Sequence, residues 1–376
     1  LHPDTQRILM SEIEIRAVST QTEMKDFLRL PEFIYKDNEC YVPDFPGDVK
    51  EALEKAQGFV AYKQGEPAGR VAVFVNQKAN EKWQRKAVRF SYIDFIDDPQ
   101  VAKALLDTVE QQGKKMGMNQ VLGPLGVYDF DKEGMLTEGF DQMGSMIEIY
   151  NLPYYPKYME EAGYTKAAEW VQTRMQIPEQ TPKMYARVAR YARENFGLRV
   201  VKFTNDEIIN QGYGRKFFEL FNKAYAPLFG FTEMPTVQVD EYVHKYVRII
   251  DKRLIPVVLN DKDEIVGAAI TMGSLSKAIR KSKGKMWPTG WWHFLKALKW
   301  KREDTLQLLL IAVRPDCQGY GVSALIFDDL IPICNQMGFK WAETGPQLED
   351  NRKELSQWKP MKPEVVKRRV CYTKQL

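Results

Sequence analysis

The residues whose spacing suggests chemistry lie between Leu306 and Met337, LQLLLIAVRPDCQGYGVSALIFDDLIPICNQM. Leu306–Val313 is an apolar run of the length of a buried strand. Arg314–Gly321 is a joint punctuated by Pro315, Gly319 and Gly321. Val322, Leu325, Ile326, Leu330, Ile333 and Met337 then recur at helical spacing, which predicts a helix with one buried face. A strand, a glycine joint and a helix start gather unpaired N–H groups and a partial positive charge, and the glycines let an anion approach the backbone. The chemistry served is phosphate binding. No Gly-Lys-Ser/Thr is present, so the joint is not a Walker loop. The third glycine of a dinucleotide fingerprint is also missing.

Gln318-Gly319-Tyr320-Gly321-Val322-Ser323, after Val313-x-Pro315, resembles the acyl-CoA signature of the GNAT acetyltransferases. That signature is Gln or Arg, two residues, Gly, one residue, then Gly or Ala; Ser323 stands at the last position. The resemblance, to bacterial tandem-GNAT proteins, covers nearly the whole chain. In the first half it rests on IDDPQVAKALLD (Ile96–Asp107), GMNQVLGP (Gly117–Pro124), EGFD (Glu138–Asp141) and YNLPYYPKYMEEAGY (Tyr150–Tyr164). In the second half it rests on FGFTEM (Phe229–Met234), Leu308–Phe327 and LEDN (Leu348–Asn351).

The resemblance implies a pyrophosphate held by the backbone of Gln318, Gly319, Tyr320, Gly321, Val322 and Ser323. It implies a pantetheine paired along Ile311, Ala312 and Val313, with a backbone N–H near Val313 for the oxyanion. Acetyl-CoA, or another acyl-CoA, would be the donor, and a small-molecule or peptide amine the acceptor; no metal is needed. The family's general base is often a carboxylate near the two central strands. Glu343, after the cofactor helix, and Glu233, in the Phe229–Met234 loop, are the candidates, each otherwise an ordinary polar residue at a strand end or loop. The family's later segment carries an Asn, an Ala three residues on, and a Tyr seven residues on that protonates the leaving thiolate. Here Asn351 fits and joins the cofactor-binding set, but Glu354 and Trp358 replace the other two. An indole does not deliver a proton. Either Tyr320 or Tyr372 serves instead, or the thiolate leaves unaided, or the protein binds acyl-CoA without turnover. A relative that moves an aminoacyl or long-chain acyl group is a further reading.

The elements that must position this site repeat. A strand, a helix, a hairpin, a strand, a helix, a short strand, a short helix and a closing strand run from Glu12 to Ile177, and the order recurs from Met184 to Tyr372. This predicts an α/β chain with mixed sheets, built as two tandem modules, 10–178 and 179–376. The copies differ at the joint. After Val88–Ile96 the first continues Asp97-Asp98-Pro99, with carboxylates where a pyrophosphate would lie and a good helix start instead. The first module is therefore expected to be degenerate and the second to bind the donor. Tyr225, Phe229 and Phe231 are expected to line an acceptor cleft between them.

At 376 residues, 44% hydrophobic and 28% charged, the chain can bury a core for two domains. A net charge of +4 is too small to argue for nucleic acid. No apolar stretch approaches a bilayer span, and the N-terminal residues lack a secretory pattern. Four scattered cysteines without a CxxC pair read as reduced, consistent with a cytoplasmic chain. Cys317, in the joint, reads as a small turn residue rather than a reactive thiol, and the three histidines are too dispersed for a metal site or a triad.

Lys277–Arg302 stands out. It holds Lys277, Arg280, Lys281, Lys283, Lys285, Lys296, Lys299, Lys301 and Arg302 without one acidic residue. Trp287, Trp291, Trp292, Phe294, Leu295, Leu298 and Trp300 are interleaved. The length suits two helices. Three roles compete: a lid over the acceptor cleft, peripheral contact with an anionic membrane, or an acidic partner or steering of CoA.

Overall fold

The computed structural model describes residues 13–127, 131–300 and 302–376. The first half runs β1 (Ile13–Ala17), α1 (Gln21–Ile34), α2 (Pro46–Leu53), β2 (Gln57–Lys63), β3 (Glu66–Phe74), α3 (Gln77–Lys82), β4 (Ala87–Phe95), α4 (Pro99–Lys115), β5 (Gln120–Gly123), β6 (Met135–Glu138), α5 (Tyr154–Glu161) and β7 (Thr165–Gln176). The second runs α6 (Lys183–Phe196), β8 (Arg199–Val201), α7 (Asn205–Ile209), α8 (Tyr213–Tyr225), α9 (Thr236–Tyr246), β9 (Val257–Leu259), β10 (Ile265–Gly273), α10 (Ser276–Ser282), α11 (Gly290–Lys299), β11 (Thr305–Val313), α12 (Val322–Gln336), β12 (Trp341–Thr344), β13 (Gln347–Leu348), α13 (Arg352–Ser356) and β14 (Glu364–Gln375).

Local chemistry accounts for the element ends. The α1 helix starts on a capping box, where the Thr20 side chain caps the first turn and its N–H donates to Glu23 at 2.8 Å. The β2–β3 hairpin turns on Gln64-Gly65, both with positive φ, the conformation a two-residue loop demands. Alternation then sorts side chains to two faces. Val60 and Tyr62 pack with Phe27 of α1, while Phe59 and Ala61 pack with Leu105 of α4. The second half repeats this: Val258 joins the core under α6 and α12, and Val257 and Leu259 join the core with α8 and α9.

The strands form one sheet in the order β1-β2-β3-β4-β5-β14-β7-β12-β11-β10-β9-β8, with β6 and β13 beside the main path. Among the described residues two pairs are parallel, β4 with β5 and β11 with β12, and these mark equivalent places in the two halves. The mixed α/β architecture read from the sequence is the one adopted. The sheet, however, runs through the 178/179 boundary, because each half supplies the other's closing strand. β7 pairs β12 as well as β14, and β14 pairs β5 as well as β7. Nothing in a strand's own pattern names its neighbour, so the exchange was invisible in the sequence.

A buried charge cluster locks it. On β14, Lys367 and Arg369 hold Glu148 of the first half at 2.7 and 2.6 Å, and Arg369 Nε donates to Gln172 of β7 at 2.6 Å. All three charged residues are under 4% exposed. Burial alone would raise the Glu148 carboxyl, but the two cations more than offset it and hold it down to about 2.

Candidate active site

The glycine joint folds as its residues dictate. β11 ends at Val313, a single turn spans Pro315–Cys317, and α12 begins at Val322. Gly319 and Gly321 have φ of 92° and 83°, the left-handed region that suits glycine. No side chain among the described residues caps α12. Among the described residues, no acceptor meets the amides of Gly319, Gly321, Val322, Ser323 or Ala324. Four consecutive N–H groups and the positive end of a 15-residue helix are therefore presented together. Gln318, Gly319 and Tyr320 are exposed, with Tyr320 stacked on Phe196 of α6 at 4.4 Å. Val322 is core, so it contributes only its backbone. Helix α6 lies tight against the joint: a Cβ on Gly321 would meet Val188 Cγ1 at 2.8 Å.

The first copy closes the same position. Asp98 caps α4, accepting from the Gln100 and Val101 amides at 2.8 and 3.4 Å, and Pro99 removes a further donor. Lys63 pairs with the capping carboxylate.

β11 and β12 pair in parallel only from Thr305 to Leu308 and then part, the last tie being Gly345 N–H to Leu308 O at 3.1 Å. A cavity of about 810 Å³ opens there and extends into the first half. Second-half walls include Tyr225, Leu308–Ile311, Gly345, Glu354 and Trp358; first-half walls include Tyr41–Phe45, Arg70, Ser91–Asp94 and Glu148. Tyr225, Phe229 and Phe231, expected in the acceptor cleft, all line it. Among the described lining residues, ten carboxylates (Asp44, Asp48, Glu51, Glu54, Asp94, Asp131, Glu133, Glu148, Glu241, Glu354) face four bases (Lys55, Arg70, Lys132, Lys245).

The strand edge assigned to pantetheine is engaged. Ala269 N–H donates to Pro256 O and Arg314 N–H to Val266 O, so the register turns the main-chain groups of Ile311 and Val313 away from β10. At Ile311 the Tyr225 hydroxyl occupies both, donating to O at 2.9 Å and accepting from N–H at 3.2 Å. Ala312 points into the core.

The carboxylates singled out from sequence are not brought to the cavity. Glu233 is exposed and absent from its lining. Glu343 sits opposite Arg174 in the β12–β7 ladder, 3.6 Å from its Nε, and lines no part of the cavity. Burial pushes its carboxyl up, with Lys367 and Arg174 opposing. The two tyrosines considered as acids are also elsewhere: Tyr372 is core in β14 and Tyr320 is on the surface joint.

Glu354, by contrast, is among the carboxylates that line the cavity. It accepts from Gln347 Nε2 at 2.7 Å and Asn351 Nδ2 at 2.8 Å. Burial pushes its carboxyl above the usual range despite both donors. Asn351, assigned to the cofactor, caps α13, its side chain accepting from the Glu354 N–H at 3.5 Å, and donates to that carboxylate. Beside it, Trp358 is 1% exposed and its indole N–H has no partner among the described residues. The signal for Glu354 was present as a departure, a carboxylate in place of the family's Ala.

The fold defines the class: this is the tandem GNAT fold. It matches a tandem GNAT protein from the clavulanic acid biosynthesis pathway with a TM-score of 0.57 at 11% identity, over 97% of this chain and 98% of that one. It matches a GCN5-related N-acetyltransferase from Sphaerobacter thermophilus at 0.53 and 12%, over 96% and 95%. In sequence the chain is similar to Protein YghO of Escherichia coli (strain K12), 25% identical over 323 residues, 81% of this chain and 79% of that protein. It is also similar to Bacterial ceramide synthase of Caulobacter vibrioides (strain NA1000 / CB15N), 24% identical over 322 residues, 82% of each. No family model matches the chain.

Proposed function

We propose that this protein is an N-acyltransferase that moves an acyl group from acyl-CoA to an amine carried on an apolar chain. The observation that carries the reading is the adjacency of two features on β11. Its C-terminal end leads into the uncapped start of α12, and its Leu308–Ile311 segment lines a large, carboxylate-rich, largely apolar cavity. The first suits a CoA diphosphate. The second suits a cationic amphiphile, since carboxylates attract an ammonium and apolar walls take its chain. The ceramide synthase relative supports the same class, because a ceramide is the amide of a fatty acid with a long-chain amino alcohol.

In the proposed reaction the amine nitrogen attacks the thioester carbonyl, the C–N bond forms and the C–S bond breaks. Glu354 takes one proton from the nitrogen, a task its raised pKa suits, and the second proton of the ammonium ends on the departing sulfur, releasing CoA as the thiol. The Trp358 N–H is a hydrogen-bond donor, not an acid, available to the carbonyl oxygen or to the departing sulfur. The Tyr225 hydroxyl must yield Ile311 if a pantetheine pairs with that strand.

The test is thiol release from acetyl-CoA and from long-chain acyl-CoA with a panel of amines of increasing alkyl length. Release that rises with amine chain length is expected. Release that is equal or faster with short hydrophilic amines overturns the acceptor class, and no release with any pair overturns the enzyme.

A further inference from the structure

From the placement of α10 and α11 we infer that this helical hairpin docks the protein on an anionic lipid bilayer. Its inner face is packed. Ile279, Gly284, Gly290 and Phe294 are buried, Phe294 lies 5.9 Å from Phe45, and a Cβ on Gly284 would meet Asp44 O at 2.4 Å. Pro43–Phe45 line the cavity, so the hairpin stands against its wall. In this sense the inner face does what a lid would do.

The outer face has no such partner. Trp287 is 79% exposed and Trp300 63%, with Trp291, Trp292 and Met286 near half. Trp292 bridges Trp291 and Trp300 at ring distances of 5.8 and 5.6 Å, which makes one aromatic patch. On the same hairpin Lys277, Lys281, Lys283, Lys296 and Lys299 are exposed and form no ion pair among the described residues. Between Lys277 and Arg302 the chain has no carboxylate.

The charge and the aromatics choose the occupant together. Protein interfaces are enriched in aromatics but depleted in lysine. Indoles seated at headgroup level, with lysines reaching anionic lipid, are the pattern of a surface-bound helix. Among the described residues no helix is long and apolar enough to cross a bilayer, so the contact is peripheral. The inference stands independently of the acyltransfer reading. If both hold, an amphiphilic amine would reach the cavity from the surface on which the protein sits.

The experiment is flotation of the full chain with vesicles of phosphatidylcholine alone and of phosphatidylcholine with about one third phosphatidylglycerol. Three proteins are compared: wild type, Trp287→Ala/Trp300→Ala and Lys296→Glu/Lys299→Glu. These side chains are exposed, so unchanged circular dichroism and melting are expected in both variants. Wild type should float with anionic vesicles only, and raised salt should release it. Each variant should bind about tenfold or more weakly. Equal binding to neutral vesicles, or no binding to either, overturns the inference. So does a wild-type dimer in sedimentation that the tryptophan variant loses, since the patch would then join two copies. Thiol release with a short soluble amine, measured in parallel, keeps a failure here distinct from a failure of the enzyme.

Discussion

Helices α4 and α12 follow equivalent strands in the two copies, and their first turns have opposite fates. At α4 a carboxylate, Asp98, fills the N-terminal donors and Pro99 deletes one. At α12 Gly321 supplies no side chain, and the amides from Gly321 to Ala324 stay open. The same backbone therefore yields a self-capped helix start in one half and open backbone donors in the other. The difference teaches that duplication of the fold need not duplicate how a helix start is satisfied. One capping residue decides whether a helix start is spent on the chain itself or left for a ligand. The copies nonetheless share one sheet, since each closes the other's.

That comparison can be broken at several points. The largest effect is expected at the exchange. Glu148→Ala leaves Lys367 and Arg369 buried and unpaired, a loss of roughly 3–5 kcal/mol in unfolding free energy by denaturant titration. The same pair sets an acid limit. Glu148 is depressed to about 2 from 4.5, so its contribution is present above the unfolded value and is lost as pH falls from about 4.5 towards 2. On that shift it is worth about 3 kcal/mol, read as falling stability across that window.

Glu354→Gln should lower kcat on the order of 10²–10⁴ if the second half carries the base. Gln347 Oε1, without a partner among the described residues, can turn to accept from the new amide, so the fold should persist. The linkage runs opposite to that of Glu148. A raised carboxyl stays protonated in the fold longer than in the unfolded chain, so it costs stability as pH rises through its folded pKa. The variant should therefore melt no lower than wild type at neutral pH, a pairing of lost activity with kept stability that a merely structural residue would not give.

The smallest effect belongs to the first copy. Asp98→Ala should cost about 1 kcal/mol of stability, the worth of a cap, and leave thiol release unchanged. A fall in activity would show that the first copy's helix start takes part in catalysis after all.

Much of the architecture was legible because helical and strand periods are local. The repeated order, the hairpin turn at Gln64-Gly65, the Asp98-Pro99 start and the two helices within Lys277–Arg302 all follow from neighbouring residues. What was not legible depends on partners distant in sequence. Glu343 reads as a cavity carboxylate until β7 places Arg174 opposite it. Tyr225 reads as a cleft aromatic, and only the fold brings its hydroxyl to Ile311, 86 positions away. Glu354 gains its character from α13 tucking beside the parted strands, which a five-residue helix does not announce. Gly321 is a poorer probe than its sequence suggests, because Val188 fills the space a side chain would need.

Ser323, half-buried in the first turn of α12, is the better probe. An aspartate there favours the helix dipole while repelling a diphosphate. Calorimetric titration of acetyl-CoA into wild type and Ser323→Asp, with melting curves of both, tests the claim that donor binding belongs to the second helix start alone. One site per chain in wild type, and its loss in a variant that melts no lower, is the predicted result; two sites per chain, or undiminished binding in Ser323→Asp, would contradict it.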